Sequence, residues 1–301
     1  MGIRFIFGRA GSGKSYYCLN QIKKKLENDK NNKLILLVPD QYTFQTEKKL
    51  LEHIGERALL RAEVLSFKRM ATRVFDRCGG RAINVIEDSG KNMLIYKLLK
   101  DKGEELQYFN RISKQQGFVG IVSKSITEFK KYNISEEILI EKESQIDNKD
   151  LKEKVNDLAS IYKIFNENLH KGYIDSEDIL SILAKKLKEC ELYNDAEIWV
   201  DEFTTFTPQQ LEVLKVLAKQ CKNINITLCS DGQIQFTEGE TDIFDVIKNT
   251  ENRLLKMMQE NNIAYKEPVN LNKENIYRFK ESKELGHIEK YFFNFPFKIY
   301  K

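Results

Sequence analysis

Proline and glycine are scarce in this sequence, with 4 and 15 among 301 residues. That scarcity excludes a Pro/Gly-rich disordered chain and an all-β protein built on many tight turns. Long apolar runs are missing as well. The longest strong one, 34–38, holds five residues, so no transmembrane helix is expected. The apolar stretch near Met1 is equally short and leads straight into glycines, without the longer apolar segment and cleavage site of a signal peptide. The five cysteines (Cys18, Cys78, Cys190, Cys221, Cys229) are scattered and contain no C-x-x-C, and the three histidines (His53, His170, His287) share no metal spacing. A zinc centre is not expected, and the cysteines read as free thiols of a reduced, cytoplasmic protein.

What the chain does carry is apolar and charged residues, 41% and 31% of the total. This suits a soluble, lysine-rich protein with a sizeable core. A length of 301 residues fits one large domain or two interleaved ones. The 49 basic residues against 45 acidic ones leave a net charge of +4, which permits a nucleic-acid partner without demanding one.

Strand and helix alternate over the first 80 residues. Residues 3–7 form a short β-branched and aromatic run, followed by a glycine loop and an amphipathic helix over 14–28. Residues 34–38 read as an apolar strand stopped by Pro39, 43–54 as a helix, 63–65 as a strand and 66–78 as a helix. This rhythm means right-handed βαβ units on a parallel sheet. From 87 to 189 the apolar residues recur at helical spacing, and about five helices with no strand are expected. The alternation then resumes with a strand at 198–200, a helix at 208–220 and a strand at 224–228. The fold class is therefore α/β, a parallel sheet interrupted by an all-helical subdomain. The core is expected over 1–84 and 190–240 and the helical insertion over 85–189. A helical segment rich in aromatic residues should follow over 241–301 and lead to a further domain.

Gly8-Arg9-Ala10-Gly11-Ser12-Gly13-Lys14-Ser15 matches G-x-x-x-x-G-K-[ST], after an apolar strand and at the start of a helix. Glycines let backbone N–H groups wrap a phosphate chain, and the helix N-terminus adds partial positive charge. Lys14 would reach the β- and γ-phosphates of ATP, and the Ser15 hydroxyl would ligate Mg²⁺. Such a loop needs a carboxylate at the end of another parallel strand. Ile198-Trp199-Val200-Asp201-Glu202 supplies two acids there: Asp201 for the Mg²⁺ shell and Glu202 to orient or deprotonate the attacking water.

Further segments resemble AddB proteins, the B subunits of an ATP-dependent helicase/nuclease of Gram-positive bacteria. Val38-Pro39-Asp40-Gln41-Tyr42-Thr43-Phe44, with Glu47 and Leu50-Leu51, is similar to the segment after the family's first helix. Val64-Leu65-Ser66-Phe67-Lys68-Arg69-Met70 and Asp201-Glu202-Phe203-Thr204-Thr205-Phe206-Thr207-Pro208-Gln209-Gln210 match as well, so the resemblance covers essentially the whole chain. It implies that the α/β core is a RecA-like P-loop domain, the first domain of a superfamily-one helicase with its helical insertion. It implies a heterodimer with an AddA-type subunit, DNA processing in recombinational repair and no membrane association. It also implies a C-terminal nuclease domain with an iron–sulfur cluster, which cannot lie within these 301 residues. Thr43, Phe44, Ser66, Phe67 and Arg69 sit where the wider superfamily contacts DNA, with hydroxyls on phosphates and aromatics on bases.

There are departures. Only seven residues precede Gly8, too few for the superfamily's adenine-binding stretch, and Asp231-Gly232-Gln233 is a degenerate match to its γ-phosphate sensor. Nucleotide binding with weak ATPase activity at most is therefore expected of this chain by itself. The alternative is a vestigial helicase-like scaffold that holds DNA and AddA without significant hydrolysis. A small-molecule P-loop kinase is the third reading, opposed by the Asp201-Glu202 pair and by the Pro39-Asp40-Gln41 segment.

Overall fold

The computed structural model describes residues 1–28, 33–55, 61–79, 84–169, 172–232, 244–272, 276–292, 296 and 298–300. Its chain folds as two compact units, one of Met1–Arg73, Leu187–Phe206 and Gln210–Lys301, the other of Val74–Lys186 and Thr207–Gln209.

In chain order the regular elements are β1 (Ile3–Phe7), α1 (Lys14–Asn28), β2 (Leu34–Leu37), α2 (Thr43–Ile54), β3 (Ala62–Leu65), α3 (Phe67–Cys78) and β4 (Asn84–Ile86). Next come α4 (Asp88–Lys102), α5 (Gln116–Lys131), α6 (Glu136–Glu143), α7 (Lys149–Leu169), β5 (Tyr173–Asp175) and α8 (Ile179–Leu187). The chain then runs through β6 (Glu197–Val200), α9 (Pro208–Gln220), β7 (Asn223–Leu228), α10 (Asp245–Glu260), β8 (Tyr265–Asn270) and α11 (Lys283–Tyr291).

The first unit is built on a six-stranded sheet of order β3-β2-β6-β7-β1-β8. Every pairing in it is parallel. This is α/β architecture of the Rossmann or RecA-like kind. The central strands β2 and β6 are buried at every residue, as expected where both faces of a parallel sheet are covered. Ile6, Leu36, Val64 and Trp199 pack with Cys18, Leu19 and Ile22 of α1 and Leu50 of α2 on one face. Phe5, Leu37, Val200 and Ile226 are buried as well.

The sixth strand, β8, corrects the expectation that 241–301 is helical apart from its aromatic end. Its sequence, Tyr-Lys-Glu-Pro-Val-Asn, is polar and contains Pro268, features that suit an edge strand and hide it from an apolar-run search. The pairing with β1 shifts register between Arg4 and Ile6, opposite the stretch that carries Pro268. Of the terminal aromatics, Phe293, Phe295 and Phe297 lie outside the described residues, as does Gln233.

The second unit has its own core, in which Ile95 and Leu99 of α4 meet Phe118, Val122 and Ile126 of α5 and Ile161, Tyr162 and Phe165 of α7. It is not all-helical: β4 and β5 form a two-stranded parallel ladder. At three residues each, these strands are too short to leave a period-2 pattern in the sequence. Beneath them lies a buried charge cluster. Lys91 Nζ donates to Asp175 Oδ2 at 2.8 Å and Thr127 Oγ1 at 2.9 Å, and Lys130 Nζ donates to Asp178 Oδ2 at 2.6 Å. Asp157 of α7 accepts the backbone N–H groups of Gln107, Tyr108 and Phe109 at 3.0, 2.8 and 2.9 Å and so pins the turn after α4.

Cys18, Cys221 and Cys229 are free thiols, as the sequence suggested, whereas Cys78 and Cys190 are not free. Among the described residues no helix is long and apolar enough to cross a membrane.

Candidate functional site

The carboxyl ends of the strands in the first unit come level at one edge of the sheet. Phe7 of β1 lies level with Leu228 of β7 and Asn270 of β8, and Val200 of β6 lies level with Leu37 of β2 and Ile226 of β7. In open parallel sheets this edge is where ligands bind.

At that edge the chain leaves β1 through a tight glycine loop. The Gly8 N–H donates to Leu228 O at 3.2 Å, and the Ser12 N–H donates to Arg9 O at 3.1 Å, closing a turn. Gly11 and Gly13 have φ of +83° and +94°, conformations that cost an L-residue about 1–2 kcal/mol. A Cβ on Gly8 would fall 2.1 Å from Ser12 Oγ and 3.1 Å from Ser12 Cβ, so a side chain there would force the Ser12 hydroxyl to turn away. Lys14 opens α1 and folds its ammonium back over the loop, donating to Gly8 O at 2.6 Å and Arg9 O at 3.2 Å. No acidic residue occupies the first turn of α1, so the partial positive charge at its N-terminus is left unopposed there. Ala10 is exposed. Ser12 Oγ is buried without a hydrogen-bond partner, which is costly unless another group supplies one.

The second part of the site comes from the end of β6. The Asp201 N–H continues the ladder to Leu37 O at 2.9 Å, and its buried carboxylate accepts the Thr227 hydroxyl at 2.6 Å. Glu202 comes next with φ of +66°, in the left-handed region that a residue with a Cβ rarely enters. That turn aims its carboxylate across the edge, where Oε1 accepts from the Ser15 hydroxyl at 3.3 Å. Residues 187 positions apart in sequence are thus joined by a hydrogen bond. Cys18 lies buried just below. Its thiol is pushed well above the ordinary cysteine range, by burial first and the Asp201 carboxylate second, against the opposing pull of Lys14. It is an inert thiol, not a nucleophile.

Three residues at this edge carry no local sequence signal. Asn272, just past β8, accepts the Arg9 N–H at 2.8 Å and donates to Ser230 O at 3.0 Å, tying the glycine loop to the end of β7. The stem of Arg278 lies on Gly11, where a Cβ would meet Arg278 Cβ at 2.7 Å. Glu289 Oε1 sits 3.1 Å from Arg9 Nε. All three arrive through β8 and the chain beyond it, elements that local apolar patterning does not reveal. Thr227 could have been found, because it is a polar residue inside the apolar run 224–228 at the level where β6 ends. Of the degenerate sensor match, Asp231 and Gly232 come after β7 at this edge, with the Gly232 N–H donating to Ser230 Oγ at 3.1 Å.

The residues read from sequence as DNA contacts divide by burial. Phe44 is 75% exposed, and Arg69 is an exposed residue paired with Glu47. The Thr43 hydroxyl donates to Asp40 O at 2.9 Å, and Ser66 Oγ caps α3 by accepting the Arg69 N–H at 3.2 Å. Phe67 is buried and meets Phe203 edge-on at 5.6 Å between ring centroids. Thr43 and Ser66 thus make local hydrogen bonds and Phe67 packs inward, while Phe44 and Arg69 face outward.

Among the described residues no cluster of three or more His, Cys, Asp or Glu side chains could hold a metal ion. Magnesium with a nucleotide asks for less, since it keeps several waters and takes one or two carboxylates plus phosphate oxygens. A hydroxyl at Ser15, carboxylates at Asp201 and Glu202, and an unsatisfied donor at Ser12 are a set that fits it.

The family model described as "ADDB, N-terminal" matches residues 5–289. The chain belongs to the AddB family, matching its N-terminal part. A protein of Clostridium perfringens strain 13, named as the B subunit of an ATP-dependent helicase/deoxyribonuclease, is 52% identical over 301 residues, covering 100% of this chain and 26% of that protein. Proteins of the same name from Clostridium botulinum strain Hall and Clostridium tetani strain Massachusetts are 49% and 48% identical, again over 100% of this chain and 26% of theirs. The chain spans about a quarter of the length of the curated relatives it matches. The AddB resemblance read from the motifs is borne out.

Proposed function

We propose that this chain is the ATP- and DNA-binding, helicase-like N-terminal part of an AddB-type subunit. It would act in the cytoplasm beside an AddA-type partner in a complex that processes double-strand DNA breaks for recombinational repair. The observation that carries the nucleotide reading is the hydrogen bond from Ser15 to Glu202, which brings the glycine loop and the acidic end of β6 to one point. On this reading Gly8–Ser15 is a P-loop. Its N–H groups and Lys14 hold the phosphates, Ser15 and Asp201 take up Mg²⁺, and Glu202 orients a water. Bound magnesium would neutralise phosphate charge; the chain's own part is to position and to exclude. Phe44 would stack on a base, with Arg69 beside it for the phosphate backbone. The nuclease and its iron–sulfur cluster belong, on the same reading, to the portion of the relatives that this chain does not span.

Lys14→Ala tests the reading. A fluorescent MgATP analogue should bind the unchanged chain and fail to bind the variant, while the emission of Trp199, the only tryptophan, stays native. Equal affinity for both would overturn it. One observation favours the scaffold alternative, namely that Lys14 is engaged by the carbonyls of its own loop. Turnover decides between the two. Hydrolysis at about 10 per second, typical of working enzymes, that collapses in Glu202→Gln identifies an ATPase. Binding without turnover identifies the scaffold.

A further inference from the structure

Glu289 sets a carboxylate against the loop proposed as a phosphate cradle. Its Oε1 lies 3.1 Å from Arg9 Nε, and the two side chains are only 18% and 22% exposed. Arg9 is anchored by its backbone through Asn272, so the side chain stays at the loop. The Nε group is buried and makes no aligned hydrogen bond, although the carboxylate is within ion-pair distance. Among the described residues the guanidinium thus has Glu289 as its neighbouring anion and an Nε donor that no aligned hydrogen bond uses. α11, which carries Glu289, has no buried residue. Among the described residues its helix packs on the turn at Tyr277–Phe279, where Gly286 faces Phe279, and no apolar side chain anchors it in a core. The Arg9 contact, with Arg278 lying on Gly11, is therefore what ties α11 and the turn before it to the glycine loop among the described residues.

We propose that Arg9 and Glu289 form a nucleotide-sensitive latch. This rests on the nucleotide reading of the loop and adds its regulation. A polyphosphate in the loop carries several negative charges and meets a carboxylate already in place. Arginine pairs with phosphate oxygens at least as well as with a carboxylate, through parallel N–H bonds. At a separation near 3 Å neither interaction is removed by physiological salt, whose screening length is about 8 Å. The two anions therefore compete for Arg9, and the carboxylate repels the phosphates whichever one holds it. Linkage makes the effect reciprocal: the factor by which docked α11 weakens nucleotide binding equals the factor by which nucleotide weakens the docking of α11. Nucleotide occupancy is thereby transmitted to the helix that ends the described fold.

Two measurements on the intact chain test this, namely affinity for a fluorescent MgATP analogue and hydrogen exchange of the amides in 283–291. Glu289→Gln should bind the analogue about fivefold tighter or more, within the usual range of coupling between sites. Glu289→Lys should bind tighter still. Saturating MgATP should speed exchange in α11 of the unchanged chain toward the level of Glu289→Gln without nucleotide. If the chain binds nucleotide but Glu289→Gln binds it equally or more weakly, or α11 exchange ignores nucleotide, the latch is refuted and the nucleotide reading survives. If the unchanged chain does not bind nucleotide, or Lys14→Ala binds it equally well, the nucleotide reading fails and the latch falls with it.

Discussion

Replacing Glu202 by glycine should stabilise the first unit while removing the carboxylate proposed to orient a water. Glu202 sits at φ +66°, where a side chain's Cβ crowds the backbone at a cost of about 1–2 kcal/mol. Glycine adopts that conformation freely but gives the unfolded chain more entropy, which takes back about 0.5–1 kcal/mol. The side chain is exposed and its hydrogen bond from Ser15 is long at 3.3 Å, so losing it subtracts little. The balance is a gain of about 0.5–1 kcal/mol. Trp199 is the right reporter, being buried in β6 three residues before the substitution. Urea unfolding tracked by its emission should show a higher midpoint at unchanged slope for Glu202→Gly. Glu202→Gln keeps the backbone conformation and should move the midpoint hardly at all. A Glu202→Gly variant less stable than the unchanged chain would show that the conformation is not strained, and the inference from strain to function would fail with it.

In the second unit, Asp175→Asn should cost about 3–5 kcal/mol, because the buried Lys91 would lose its carboxylate and keep the Thr127 hydroxyl, and Lys130 would keep only the partly exposed Asp178. A loss below about 1 kcal/mol, read from amide exchange in α4 and α5, would show that the cluster is not a structural charge centre. Burial by itself would raise the Asp175 carboxyl, but the Lys130 ammonium and the Lys91 hydrogen bond outweigh it and hold its pKa below the ordinary value. Its contribution is therefore complete above the unfolded carboxyl's pKa of about 3.9 and is lost as pH falls through the lower folded value. Protection of the amides in α4 and α5, corrected for the intrinsic pH dependence of exchange, should fall only in acid, and an onset near neutrality would contradict the assignment. Asp157→Ala leaves three N–H groups without their acceptor and should lower stability by about 1–3 kcal/mol, with exchange at Gln107–Phe109 rising first.

How much of the fold could be read beforehand depended on burial. β1, β2, β3, β6 and β7 were legible because strands covered on both faces are near-continuous apolar runs. β8 obeys the opposite rule. As an edge strand it must discourage further pairing, so it carries Lys266, Glu267 and Pro268, the residues that make a segment look like a loop. β4 and β5 are legible by neither rule, since their pairing joins residues about 90 positions apart over three rungs. The two elements that sequence patterning overlooked had different consequences. The small ladder closes over the buried lysines, whereas β8 brings in Asn272, Arg278 and Glu289.

The site shows the same division. On the proposed reading, the glycine loop and the Asp201-Glu202 pair were legible because each role would demand its residue type at a fixed offset from a strand. Phe44 and Phe67 looked equivalent by that logic, since each lies in the opening turn of a helix that comes after a strand. What separates them is the neighbour each one meets. Phe67 faces Phe203 on the segment after β6, while Phe44 meets solvent. Nothing local to either sequence encodes that difference, because it depends on where a strand 130 or more residues later enters the sheet. Glu289 is the extreme case. On helical pattern alone it is one more surface acid beside Lys290, and only the parallel pairing of β8 with β1 brings its segment back to Arg9. On the proposed reading, the groups that would hold nucleotide carry a local signature, and Asn272, Arg278 and Glu289 reach the same edge through topology alone.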